Sequence, residues 1–134
     1  MTSAEALKKY GEPEKEAAMV VWVHNHNIPN VPKKIYCNKD LKPLLDKAFG
    51  LIVERGFADA IKTWDGCFNI RKKRGLNSMS LHSWGLAIDI NAAWNGLYKP
   101  STQAPGLVQC FIDAGFEWGG NWTGRSDPMH FQIK

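Results

Sequence analysis

Apolar positions change period several times along the chain, and each change marks an element. Leu41, Leu44, Leu45, Ala48, Phe49 and Ile52 recur at helical spacing. They predict a helix capped by Asn38 or Asp40, running to about Arg55, stopped by Gly56 and packed by its apolar stripe on the back of a sheet. A shorter helix is expected over Ser3 to Tyr10, with Ser3 as its cap and Gly11 and Pro13 closing it. A third runs from about Pro105 to Ala114, with Ser101 or Thr102 near its cap and Gly115 beyond its end. Ala18 to Val23 is an apolar run of strand length, and the Asn- and Pro-bearing stretch His24 to Lys34 reads as a loop.

Two segments have a period of two. Leu86, Ile88 and Ile90 alternate with Ala87, Asp89 and Asn91, and Met129, Phe131 and Ile133 alternate with His130 and Gln132. Both read as half-buried strands that turn Asp89 and His130 away from the core. Asp65-Gly66 is a hairpin dipeptide, so Ala60 to Trp64 and Cys67 to Ile70 are expected to pair as antiparallel strands. Asn91 to Gln103 is a long polar loop. Together these elements predict an α+β fold, a single domain over residues 1–134 with a small, mainly antiparallel sheet backed by helices.

At 134 residues the chain is large enough for one core but too short for a catalytic unit plus a separate binding module. Its 17 Lys and Arg against 13 Asp and Glu give a net charge of +4. That excess favours polyanionic partners such as anionic envelope polymers or outer-membrane lipid heads, and equally nucleic acid, and is weak support for any of them. Cys37, Cys67 and Cys110 are odd in number and widely spaced, which argues for reduced, buried thiols. Met1-Thr2-Ser3-Ala4-Glu5 lacks a basic stretch leading into an apolar one, and no run approaches the roughly 20 residues of a membrane span.

The chemistry lies in the two alternating segments. His82, Asp89 and His130 supply two imidazoles and a carboxylate, a zinc set that leaves one coordination position open. If the strands bearing Asp89 and His130 are neighbours, opposed side chains lie about 4.5–5.5 Å apart at Cβ, close enough for one ion to bridge them. Gly85 lets the chain bend so that His82 folds back over the strand end. Asp127 would sit roughly 10 Å from His130 on an extended chain. Pro128 instead favours a turn that brings it beside the ion as a general base rather than a ligand. Ser80 is expected to hydrogen-bond within the His82 loop.

The string Ser80-x-His82-x-x-Gly85-x-Ala87-x-Asp89, followed by Asp127-x-x-His130, resembles the signature of the zinc D-alanyl-D-alanine carboxypeptidases and L-alanyl-D-glutamate endopeptidases of cell-wall metabolism, bacteriophage endolysins among them. The likeness runs from Gly66-Cys67-Phe68-Asn69 through Phe116-Glu117-Trp118-Gly119-Gly120 to the C-terminus and is faint over the first 35 or so residues. It implies a Hedgehog/DD-peptidase-like fold and one Zn2+ held by His82, Asp89 and His130. It also implies Asp127 as catalytic acid/base, where the family often has Glu, and an Arg before the first motif that binds substrate. Arg71, after Phe68-Asn69, is the first choice for that Arg, and Arg74 competes with it.

The implied substrate is the stem peptide of peptidoglycan, cut between L-Ala and D-Glu or at a D-Ala linkage. The implied protein is a monomeric endolysin, made in a host cytoplasm without a signal peptide and acting on the wall after release. Two alternatives are a non-catalytic zinc module of the same fold and a basic nucleic-acid-binding protein. His24-Asn25-His26 lacks nearby carboxylates or thiols and reads as a solvated loop. In Arg71-Lys72-Lys73-Arg74 the two lysines read as a solvated run. Among Trp84, Trp94, Trp118 and Trp122, one or two are expected to line a substrate groove.

Overall fold

Asp89 and His130 stand directly opposite one another in an antiparallel pair, and the rest of the architecture holds that pair in place. The computed structural model describes all residues, Met1 to Lys134. In chain order the elements are α1 (Ser3–Tyr10), β1 (Met19–Val23), β2 (Lys34–Asn38), α2 (Lys42–Glu54), β3 (Trp64–Gly66), β4 (Ala87–Ile90), α3 (Pro105–Ala114), β5 (Phe116–Trp118) and β6 (His130–Ile133). β1 and β2 form an antiparallel ribbon, and the other four strands form a sheet in the order β3-β4-β6-β5. All its neighbours run antiparallel, so the fold is α+β as the patterning predicts. No helix is long and apolar enough to cross a membrane.

α2 and α3 pack together against one face of the sheet. Leu45, Phe49 and Ile52 of α2, Leu107 and Phe111 of α3, and Ile88, Ile90, Phe116 and Phe131 of the strands share one buried cluster. A second, smaller cluster joins Ala6 of α1 to Leu81, Trp84, Leu86 and Ala87. Leu86 thus leaves the face of Ile88 and Ile90 to which its alternation assigned it. The reason is the sharp bend at Gly85 (φ +66) just before the strand.

Asp89 and His130 are not presented to solvent as the alternation implied. They are only 8% and 6% exposed, and they line a cleft with residues of other segments, Met1, Arg71, Trp122 and Asp127 among them. β2 takes Lys34 out of the expected loop and pairs with β1 from Val23↔Lys34 to Met19↔Asn38.

The helix ends differ from expectation. Thr2, not Ser3, caps α1 in a capping box with Glu5. Neither Asn38 nor Asp40 caps α2, whose first turn has no side-chain cap. Asn38 instead donates to Trp84 O and accepts from the Asp40 amide, anchoring the turn that carries His82. Neither Ser101 nor Thr102 caps α3. Thr102 is tied to Asn95 and the Trp94 carbonyl, and Ser101 accepts from the Gln103 amide.

The Asp65-Gly66 hairpin does not form. Ala58–Ala60 is a one-turn 3-10 helix, and Trp64–Gly66 pairs with β4 across a bulge. Asp65 Oδ2 accepts from Thr63 Oγ1 and from the Ala92 amide, so it clamps the strand sideways instead of turning it. Beyond Gly66 (φ +116) the chain runs alongside the His82 turn, with the Asn69 amide donating to His82 O.

Candidate metal centre and cleft

His82 sits in a one-turn 3-10 helix, Leu81–Trp84, which Ser80 caps by accepting from the His82 amide at 3.2 Å. This is the contact within the loop expected of Ser80. His82 Nδ1 faces the carbonyl of Cys67 at 2.6 Å. A carbonyl only accepts, so Nδ1 carries the proton and the bare nitrogen is Nε2. Nε2 points toward Asp89 Oδ2, 3.1 Å away, yet is buried without a hydrogen-bond partner.

His130 is fixed in the opposite sense. Its Nε2 faces Gln132 Oε1 at 2.8 Å, and its Nδ1 lies 3.2 Å from Asp89 Oδ1. The amide of Gln132 can be oriented only one way, because its Nε2 donates to Met1 O and to Glu117 Oε2. Gln132 therefore offers an acceptor to His130 Nε2, and Nδ1 is the nitrogen directed at Asp89. Glu117 Oε2 also accepts from the Trp122 indole at 2.8 Å, and the Trp122 ring lies over His130 at 5.3 Å between centroids. Trp122, Glu117 and Gln132 thus form one connected support behind His130.

One ligand atom from each of His82, Asp89 and His130 falls within 4.8 Å of the others. A buried imidazole nitrogen without a partner and a carboxylate between two imidazoles are the donors a divalent ion of zinc type takes, so the residues present fit the metal. Burial alone pushes the Asp89 carboxyl up, but the imidazoles of His130 and His82 hold it well below the usual carboxylate range. For His130, burial disfavours the charged ring, yet the Asp89 carboxylate outweighs it and raises the imidazole above its ordinary value.

Asp127 joins this cleft by the turn that Pro128 predicts. Its carbonyl accepts from the His130 amide at 3.0 Å, and its amide donates to Gly119 O at 2.9 Å. The fit to Gly119 is close, since a Cβ there would lie 2.4 Å from Asp127 O. Asp127 lines the cleft beside Asp89 and His130 but stays outside the ligand group. Its Oδ1 is buried and unpartnered, and burial pushes its carboxyl above the usual range despite the nearby His130.

Arg71 is held by its backbone, whose amide donates to Ser83 Oγ while its carbonyl accepts from Ser83 Oγ and from the Ser80 amide. Its guanidinium reaches to 3.9 Å from Asp89. Arg74 also lines the cleft, so the structure brings both arginine candidates to the site.

Glu117, Gln132 and Arg125 are cleft residues that motif reading did not single out. For Gln132 a signal existed, because it shares the His130 face of the strand. Trp122 is the tryptophan at the cleft. Trp84 is buried with its indole donating to Gly11 O, and Trp118 donates to Pro128 O. Trp94 is exposed under Lys62.

His24 and His26 do not form the solvated loop expected. His24 is buried, with Nε2 facing Pro32 O and its ring on Trp22 and Phe49, while His26 pairs with Asp46 at 2.6 Å. All three cysteines are buried and free.

Residues 73–133 match a family model described as D-alanyl-D-alanine carboxypeptidase. No curated protein matches the chain. The matched segment, 61 of the 134 residues, contains His82, Asp89, Asp127 and His130, and over it the chain is similar to the D-alanyl-D-alanine carboxypeptidase family of peptidases.

Proposed function

We propose that this protein is a zinc-dependent peptidase that hydrolyses peptide bonds in the stem peptide of peptidoglycan, as an endolysin cutting at L-Ala–D-Glu or at a D-Ala linkage. The observation that carries the reading is the pairing of Asp89 with His130, with the unpartnered nitrogen of His82 turned toward the same carboxylate. His82, Asp89 and His130 would hold the ion. When bound, it would lower the pKa of water and polarise a carbonyl, the two services zinc gives to peptide hydrolysis.

Asp127 supplies the proton transfers. Burial raises its carboxyl above the ordinary value, which makes it a better proton acceptor from the attacking water and a ready donor to the departing amine. Arg71 places positive charge at the cleft beside Asp89, where it stabilises the oxyanion that develops on the carbonyl. Ser80, Ser83 and Gln132 position these groups through the contacts described above.

The monomeric enzyme, made in a host cytoplasm, would reach the wall after release. Purified peptidoglycan incubated with the protein should release stem-peptide fragments whose masses identify the bond. Chelator should stop the release and added zinc restore it. Undiminished release after complete removal of metal would defeat the zinc reading.

A further inference from the structure

Lys73, Arg74 and Arg125 line the same cleft as Asp89 and Asp127, and none of the three forms an ion pair with the rest of the chain. Arg74 and Arg125 come from segments 51 positions apart and meet at the cleft, where Arg125 Nη2 donates to Arg74 O at 3.1 Å. Arg125 Nε is buried and has no partner.

The carboxylates of the cleft do not neutralise this rim. Asp89 is engaged with the two imidazoles, and Glu117 with Trp122 and Gln132. Asp127 lies within Coulomb range of both arginines without an ion pair to either. Gathering unpaired cations at one cleft costs repulsion, which an incoming anion relieves. Guanidinium groups are suited to a carboxylate, which they bind through paired N–H donors.

We propose that Arg74 and Arg125 form an anion subsite of the cleft that receives a free carboxylate of the peptide substrate beside the scissile bond. The proposal rests on the peptidase reading above and adds the substrate's charge to it. Arg71, facing Asp89, serves the reacting carbonyl, whereas Arg74 and Arg125, which meet on the rim of the same cleft, hold the substrate in register. A stem peptide offers two such carboxylates, one on its D-Glu residue and one at its D-Ala terminus, and the chemistry of recognition is the same for both.

The test uses one synthetic stem peptide, L-Ala-D-Glu-L-Lys-D-Ala-D-Ala, in three forms: with both carboxylates free, with the D-Glu carboxylate amidated, and with the terminal carboxylate amidated. kcat/KM and equilibrium binding by calorimetry are measured for each with the full-length, metal-loaded protein. One of the two amidations should lower kcat/KM about ten- to a hundredfold, mostly through KM, as expected for loss of a charged hydrogen-bonded contact. That form identifies which carboxylate is bound.

Arg125→Gln and Arg74→Gln should each shrink the ratio between acid and amide forms toward one. Arg125→Lys should retain part of it, and raised salt should shrink it in the wild type. Equal turnover and equal binding of all three forms would overturn the subsite. If no form is cut, the binding data still decide: an acid preference that disappears in Arg125→Gln supports the subsite while removing the hydrolytic reading, and no preference removes the subsite.

Discussion

Gln132 Oε1 lies 2.8 Å from His130 Nε2, and Glu117 keeps it there by accepting from the other end of the same amide. The pair decides which imidazole nitrogen is free to face Asp89. Gln132→Met preserves side-chain length but removes the acceptor, so metal affinity should fall by about ten- to a hundredfold. Glu117→Gln, which leaves the Gln132 amide free to rotate, should fall between Gln132→Met and wild type. Competition against a chromophoric chelator gives the ranking. Equal affinities across the series would show that His130 is oriented by packing under Trp122 alone.

Asp127 carries a stability cost that accompanies its proposed task. Burial raises its carboxyl in the folded chain above the ordinary value, so between the two values the folded state binds more protons than the unfolded one. Stability therefore falls as pH rises through that window, and the penalty is complete above the folded-state value and absent below the unfolded one. Asp127→Asn should raise the melting temperature of the metal-free protein at neutral pH, and the gain should vanish on acidification below the usual carboxylate range. The same variant should retain metal and lose hydrolysis. A lower melting temperature at neutral pH would mean that the carboxylate is better satisfied than its unpartnered oxygen implies.

Patterning served the sequence reading best where one period ran unbroken into a buried face. Pro105–Ala114 and the strands bearing Asp89 and His130 were legible because alternate or i, i+3, i+4 positions report burial directly, whereas the pairing of those two strands entered only as a condition. Asp65-Gly66 misled because a local turn preference of this kind is small beside the side-chain bonds that tie Asp65 to Thr63 and Ala92. The burial of Asp89 and His130 was hidden for another reason. Their neighbours in the cleft, Met1, Arg71 and Trp122 among them, come from other segments of the chain, and periodicity within a strand carries no information about what is laid across its polar face. The observed N-cap positions Thr2, Leu41 and Ala104 lie one to three positions from the expected residues, and tertiary demands on Asn38 and Thr102 outweigh capping.

Gly85 links the sheet to the His82 turn at a point where no other residue fits. It has φ +66, and an added Cβ would lie 2.6 Å from Met19 Cε and 2.8 Å from the Asn38 backbone nitrogen. The Asn38 amide donates to Gly85 O at 3.0 Å, so that neighbour cannot retreat without breaking the bond. Gly85→Ala should therefore cost more than the roughly 1–2 kcal/mol of a left-handed backbone alone, read as a lower midpoint in denaturant. Because the turn presents His82, the variant should also bind metal more weakly. An unchanged midpoint would show that the bend yields to a side chain.

Arg71 and Lys73 are two positions apart, line the same cleft and carry the same charge, which makes them a controlled comparison. The Arg71 backbone is bonded on both sides to Ser83, and its guanidinium is 3.9 Å from Asp89, whereas Lys73 forms no ion pair within the chain. A charge held in place stabilises a developing oxyanion without further ordering, and a mobile one must first be ordered. Arg71→Ala should thus lower kcat by about a hundredfold, the scale seen when one oxyanion donor is removed, while Lys73→Ala should change it little. Arg71→Lys should recover only part of the loss, since an ammonium lacks the planar fork. Steady-state kinetics on a cleavable stem peptide would measure all three, and equal losses in Arg71→Ala and Lys73→Ala would reduce the role of Arg71 to bulk electrostatics.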